Sequence, residues 1–344
     1  MVELAKGFKE EGHEVTFLTY HNINFFKSEL DKNDIIVTTI LEANYLKRLY
    51  KVRKEIRIQR PDAVLSFLQA ANLMATIAGF PYRRWKLIVG ERSANPKIVT
   101  SIKLRFYRKL YFFADYVVGN SYENIKLVKQ IIPCLRSEKL KVIYNIVNIA
   151  STENQPLFEN EKTKIVIAAS YRAVKNLEGL ITAVSMLSNQ YKQQIEIDWY
   201  GEISMDKRYF DENQERIIKM NLQNTIRLND KTDQIIQKYQ TADFIGLFSH
   251  YEGFPNIICE AMAMSKPVIV SKVSDVPLFV KDSFNGFLCD SKNPESIKEA
   301  IIKAIKSSSE ERRNMAVSNY FTARKVFNKD IIVAEYLKLL IDGK

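Results

Sequence analysis

The sequence predicts an α/β protein of two doubly wound, Rossmann-like domains facing a cleft, and three observations carry that prediction. Short β-rich runs alternate with helical patterns along almost the whole chain. The pattern halts at a polar stretch in the middle and then restarts. The 344 residues, 46% hydrophobic and 26% charged, suffice for two apolar cores. Strands that alternate with helices imply parallel sheets covered on both faces.

In the first half HEVTFLTY, DIIVTTI, DAVLSFL, KLIVGE, DYVVGN and KVIYN read as strands, with helical segments between most of them. ASTENQPLFENEKT, polar and without periodicity, reads as a linker, and KIVIAAS, QIEIDWYG, NTIRLND, DFIGLFS, KPVIVS and GFLCD supply the second set. The expected division is a first domain over 1–148, a linker over 149–162, a second domain over 163–320, and a helical segment over 321–344 packing back toward the first domain. The chain opens in a helix, Val2 to Glu11, with Gly12 closing it. A doubly wound domain ordinarily opens with a strand and a tight glycine loop, so the first strand is expected to be missing and the first domain incomplete.

The three cysteines, Cys134, Cys259 and Cys289, lack the paired spacing of a zinc site or a disulfide framework, and a reducing compartment fits them. The amino terminus does not read as a secretory signal. The run Ala63 to Tyr82 is free of charge for nearly the length of a membrane span. Gln69, Asn72 and the Gly79-Phe80-Pro81 break make it a buried strand and helix instead. The net charge of +11 lies entirely in the first half: residues 1–150 carry 25 Lys+Arg against 14 Asp+Glu, and the rest carry 26 of each. YLKRLYKVRKEIRIQR and KLRFYRKLYFF, its densest parts, mix cations with aromatic and aliphatic side chains. Such faces suit an anionic membrane surface or are solvated helix faces.

The segment HYEGFPNIICEAMAMSKPVIV reads as a loop, EGFPN, followed by a helix that begins near Asn256. Gly253 lets backbone approach a ligand closely, Pro255 suits a helix start, and free amides there would seat an anion such as a diphosphate. Glu260, one turn into the helix, would reach a hydroxyl-bearing group, while Glu252 at the strand end faces the cleft. An anion seat flanked by two hydroxyl acceptors is what a sugar nucleotide requires. Taken singly, the two glutamates read as ordinary surface carboxylates, one in a loop and one on a helix; it is the surrounding segment that favours the ligand reading.

EGFPNIICE followed by AMAMSKPVIV and NGFLCD resembles the E-x7-E signature of the retaining glycosyltransferases of family four (glycosyl transferases group 1), which have the GT-B fold. GHEVTFLT, GERSANP, YFFADYVVGNS, VIYNIVN, AASYRAVKNLEGLITAV and WYGE resemble further landmarks of that family, so the resemblance covers nearly the whole chain. It implies that Glu260 binds the donor ribose, that Glu252 faces the donor sugar, and that Gly253, Phe254, Pro255 and Asn256 line the diphosphate and sugar. Lys175 matches the lysine that neutralises the departing diphosphate. Where the family usually has an arginine, this chain has Ser170, with Arg172 offset by two as a candidate second cation; Ser170 and Gly201 complete the donor-binding set. Ile146 and Asn148 replace the usual proline and aspartate of the interdomain segment. By the same resemblance, roughly fifteen to twenty residues ahead of the first helix are not represented.

The expected activity is transfer of a hexosyl-type sugar from a nucleoside diphosphate, with retention, to a glycan or lipid-linked acceptor in cell-surface polysaccharide or glycolipid synthesis. No Asp-x-Asp occurs, and neither a metal nor a cofactor is expected; the nucleotide sugar is a substrate. Acceptor-side candidates are His21, Gln69, Asn72, Glu91 and Arg92, although Glu91 and Arg92 are equally readable as a mutual salt bridge. His13 and His250 are assigned supporting roles. A cytoplasmic protein, peripheral at the inner face of the membrane and without a nucleic-acid partner, is expected. The alternative is a truncated, inactive remnant that still binds nucleotide sugar.

Overall fold

A computed structural model describes residues 1–22, 25–149 and 161–341. Residues 150–160, most of the expected linker, lie outside the described residues. The chain divides into two compact units, one comprising Met1–Ile146 with the segment from Phe327 onward, the other Val147–Val326.

The second unit holds one six-stranded parallel sheet. Its strands are β7 (Thr163–Ala168), β8 (Ile195–Gly201), β9 (Ile226–Asp230), β10 (Phe244–Leu247), β11 (Val268–Ser271) and β12 (Gly286–Cys289), in the order β12-β11-β10-β7-β8-β9. Five fall within the runs that the sequence marks as strands, and β7 begins one residue ahead of its run, at Thr163. Helices cover both faces, which is why the central strands read as continuous apolar runs: Ile165, Val166 and Ile167 are all fully buried. One large core gathers Ile165, Ile167 and Trp199 with Leu180, Ile181 and Val184 of the helix Leu177–Ser185 and Ile297 and Ile301 of the helix Pro294–Lys306. The order turns back between β7 and β10. In a doubly wound sheet the carboxyl ends of two such neighbours open a crevice, because their connections leave toward opposite faces.

The first unit carries two parallel sheets. β1 (Thr16–Thr19) pairs with β2 (Ile36–Thr39); β3 (Ala63–Phe67), β4 (Lys86–Glu91), β5 (Tyr116–Gly119) and β6 (Leu140–Val142) form the other in that order. β1 and β3 therefore each end a ladder, although Leu18 and Tyr20 share an apolar cluster with Val64 of β3. β6 stops at Val142, short of the IYN that the sequence assigns to it. Alternation along β4 sends Leu87 and Val89 into the cluster under the helix Tyr122–Ile131, and Ile88 into the cluster on the other face. On that face Ile332, Val333, Tyr336 and Leu339 of the helix Lys329–Ile341 pack with Leu4 and Phe8 of the opening helix Val2–Glu10. The two helices meet closely at Gly7, where a Cβ would come within 2.3 Å of Val333. Ala63 to Tyr82 is strand β3 followed by the ten-residue helix Gln69–Ala78. No helix among the described residues is long and apolar enough to cross a membrane. All three cysteines are free.

Candidate active site

The segments that leave the adjacent carboxyl ends of β7 and β10 carry the residues singled out in the sequence. Ser170, Arg172 and Lys175 follow β7; His250, Glu252 and Gly253 to Asn256 follow β10. The two segments are tied together by backbone, the His250 N–H donating to the Val174 carbonyl at 2.8 Å. Asn176 adds a second tie, its buried side-chain amide donating to the carbonyls of Phe248 at 3.1 Å and Ser291 at 2.8 Å. Its side-chain oxygen accepts from the Gly179 N–H and so caps the helix Leu177–Ser185 from a left-handed backbone at φ 63°. Sequence reasoning missed this residue, although an Asn directly before the apolar helix LEGLITAV is an N-cap signal.

This scaffold brings Lys175 to Glu252. The Lys175 ammonium lies 2.6 Å from the Glu252 carboxylate, and both side chains are mostly enclosed. Arg172 is exposed, and among the described residues its guanidinium forms no ion pair. Behind the loop, Ser274 donates its hydroxyl to the Gly253 carbonyl at 3.3 Å, and the His250 ring lies 3.3 Å from the Ser291 hydroxyl. Ser170 is half-buried at the mouth of β7. Gly201 closes the end of β8 against that mouth, where a Cβ would come within 2.3 Å of the Ala169 carbonyl oxygen. No other residue fits so close a crossing.

Pro255 is the residue before the first helical position of Asn256–Ala263, with Phe254 buried beneath the loop. The start of this helix offers fewer free amides than expected. The Asn256 N–H donates to the Phe254 carbonyl at 3.0 Å, and those of Ile258 and Cys259 donate to Pro255 at 3.0 and 3.2 Å. The segment after β7 carries two cations, Lys175, paired with Glu252, and the exposed Arg172. Glu260 lies one turn into the helix, half-buried, and its carboxylate accepts no hydrogen bond from the described residues. Burial holds its pKa above the ordinary carboxylate value. A partly desolvated carboxylate without a partner is costly unless a ligand supplies donors.

The acceptor-side candidates sit in the first unit and differ among themselves. Glu91 does not pair with the Arg92 side chain. Both its oxygens bond the buried Arg108 guanidinium, at 2.7 and 3.1 Å, and one also accepts from the Arg92 and Ser93 N–H groups. Arg92 instead reaches Asn145 at 2.5 Å and the Tyr336 hydroxyl at 2.9 Å, with its guanidinium 4.5 Å from the centre of the Phe67 ring. Asn72 is enclosed, bonded to the Ser66 hydroxyl, the Gly90 carbonyl and the Tyr111 hydroxyl. Asn72 and Glu91 are thus framework groups that shape the loops after β3 and β4, because their hydrogen-bonding capacity is spent internally. Gln69, at the first position of its helix, and His21, exposed against the Tyr20 ring, remain accessible.

Residues 148–320 match the family model described as glycosyl transferases group 1, and residues 1–151 match that described as glycosyltransferase family 4. An uncharacterized glycosyltransferase of Methanocaldococcus jannaschii is 26% identical over 313 residues, spanning 88% of this chain and 82% of the relative. The GalNAc-alpha-(1->4)-GalNAc-alpha-(1->3)-diNAcBac-PP-undecaprenol alpha-1,4-N-acetyl-D-galactosaminyltransferase of Campylobacter jejuni is 25% identical, spanning 100% of this chain and 94% of the relative. Among solved structures, a glycosyltransferase from Rickettsia africae superposes with a TM-score of 0.82 at 19% identity over 100% of this chain and 94% of that one. Anabaena HepE in complex with UDP and glucose does so with a TM-score of 0.81 at 20% identity, over 98% and 94%.

Proposed function

Because the chain belongs to the glycosyl transferases group 1 family, with the GT-B fold of its structural neighbours, we propose that it moves a hexosyl-type sugar from a nucleoside diphosphate to a glycan or lipid-linked acceptor with retention of configuration. The observation that carries this reading is the Lys175–Glu252 contact at the β7/β10 crevice, with the unpartnered Glu260 carboxylate one turn into the helix that follows the Glu252 loop. The UDP and glucose of the Anabaena protein support a sugar-nucleotide donor, and the undecaprenol-linked glycan in the name of the Campylobacter relative supports the acceptor class.

In this reading the donor diphosphate takes the place of Glu252 as the counter-charge of Lys175, with Arg172 swinging onto it from solvent. Charge that develops on the leaving oxygen is stabilised by these two cations. Glu252, released from Lys175, accepts hydrogen bonds from the donor sugar near its reacting carbon. Glu260 accepts from the ribose hydroxyls, while Ser170, Gly201 and the backbone of Gly253 to Asn256 line the nucleotide and diphosphate. Gln69, His21 and Arg92 are the groups through which the first unit meets the acceptor, and neither metal nor cofactor takes part. The setting is polysaccharide or glycolipid synthesis at the cytoplasmic face of a membrane.

Melting the protein with a panel of sugar nucleotides tests the donor, since a ligand that binds only the folded chain raises the midpoint by mass action. One donor is expected to stand out, and the anomeric coupling of the sugar transferred from it reports retention. A panel without any stabilising donor, or a product of inverted configuration, refutes the assignment.

A further inference from the structure

The positive excess of the first unit is organised on two exposed helical faces. In the helix Tyr45–Gln59 the buried side chains are Val52 and Ile56. Leu46, Tyr50 and Ile58, at spacings of four and eight, point outward, Leu46 being 72% exposed, and Lys47, Lys51 and Lys54 stand between them. The helix Ile102–Lys109 repeats the arrangement, with Ile102 86% and Phe106 60% exposed among Lys103, Arg105 and Lys109. The two faces are connected. Arg57 of the first helix donates to the carbonyls of Phe80 and Tyr82, at 3.0 and 2.9 Å, and the Phe80 ring meets Phe113, just beyond the second helix, edge-on at 4.8 Å.

A solvated helix face would match its lysines with acidic residues at helical spacing. Here Glu55 is the single acid between Tyr45 and Arg60, and none occurs between Ile102 and Phe113. Among the described residues Lys47, Lys54, Lys103, Arg105 and Lys109 enter no ion pair; of the exposed lysines on these faces Lys51 is matched, by Glu42 at 2.7 Å, and the buried Arg108 pairs inward with Glu91. Large apolar side chains on such a face need a partner that is both apolar and anionic. Single-stranded nucleic acid would satisfy the lysines and stack on the aromatics, but it gives Leu46, Ile58 and Ile102 nothing to bury against. The headgroup region of a bilayer does both: ammonium groups reach lipid phosphates while the aliphatic and aromatic side chains enter the acyl boundary.

We infer that the face formed by Tyr45–Gln59 and the segment Ile102–Phe113 is a docking surface for an anionic bilayer, with Leu46, Tyr50, Ile102 and Phe106 as its inserting side chains. It gives the membrane setting proposed above a specific surface and rests on none of the donor-site assignments.

Flotation of the full chain with vesicles tests it. The protein is expected to float with phosphatidylcholine vesicles containing about 30% phosphatidylglycerol and to stay behind with phosphatidylcholine alone. Ile102→Ser with Phe106→Ser is expected to reduce partitioning at least tenfold, and Lys47→Glu with Lys54→Glu about fivefold or more per lysine at low salt, with melting temperature and donor-induced shift unchanged. Equal binding to neutral vesicles, partitioning unaffected by either pair, or displacement from the vesicles by a single-stranded RNA oligonucleotide overturns the inference. Wild-type protein that fails to float with the anionic vesicles yet keeps its donor-induced melting shift separates failure of this inference from failure of the donor site.

Discussion

Glu260→Ala separates a ligand-binding carboxylate from a structural one. The side chain is half-buried and accepts nothing from the described residues, so truncation breaks no hydrogen bond of the ligand-free fold. Two charge-assisted bonds to neighbouring ribose hydroxyls would together contribute about 3 kcal/mol. Their loss weakens donor binding roughly 150-fold. At a donor concentration of about a hundred times the wild-type Kd, ligand linkage stabilises the wild type by about 2.7 kcal/mol and the variant by about 0.3. At about 2–4 °C per kcal/mol for a unit of this size, a donor shift of roughly 5–10 °C falls to about 1 °C.

Without donor the expectation runs the other way. Burial raises the Glu260 pKa above its ordinary 4.5, so the native state holds this proton more tightly than the unfolded chain does. The resulting stabilisation is full below that ordinary value and is lost as pH rises through the raised one. At neutral pH the ionised, unpartnered carboxylate is a net cost, and the ligand-free variant should melt at the wild-type temperature or above. Donor binding by the wild type should weaken as acid protonates Glu260 through the same window. Differential scanning fluorimetry with and without donor, across pH, reads all of this. An undiminished donor shift, or a ligand-free variant melting several degrees lower, refutes the reasoning.

Lys175→Ala removes the cation facing Glu252 and should lower kcat by about 10²–10³ with a smaller change in donor affinity, read by initial rates over a donor titration. Chelation with EDTA should leave the wild-type rate unchanged, whereas a loss restored by a divalent cation would assign the leaving-group charge to a metal. Asn176→Ala strands the Phe248 and Ser291 carbonyls, removes a helix cap and leaves Ala in the left-handed region; it should destabilise by about 3 kcal/mol or more in urea unfolding. Arg108→Met leaves Glu91 buried without its counter-charge, and about 3–5 kcal/mol of stability should be lost, read by urea unfolding.

Much of the candidate site was legible in the sequence because its parts are local. Glu252, Gly253, Pro255 and Glu260 lie within one loop and one helix turn, so their spacing alone states the arrangement. Lys175 and Ser170 were legible only through the family resemblance. That Lys175 meets Glu252 follows from β7 and β10 being neighbours, which no local pattern contains. Asn176 went unnoticed for the same reason: its cap is local, but its bonds to Phe248 and Ser291 cross the sheet. In the first unit the sequence placed Glu91 beside Arg92, whereas folding brings Arg108 to Glu91 and sends Arg92 to Tyr336, more than two hundred positions away.

The sequence by itself determined which stretches become strand or helix and which faces they bury, because side-chain periodicity and backbone preference act among near neighbours. It also determined where the charge lies along the chain. The tertiary structure alone decided the strand order, and with it which loops share the crevice, which carboxylate is ion-paired and which has no partner among the described residues. Those outcomes depend on elements far apart in the chain being fixed within a few ångströms, where burial and Coulomb attraction between specific groups, rather than local preference, set the partners.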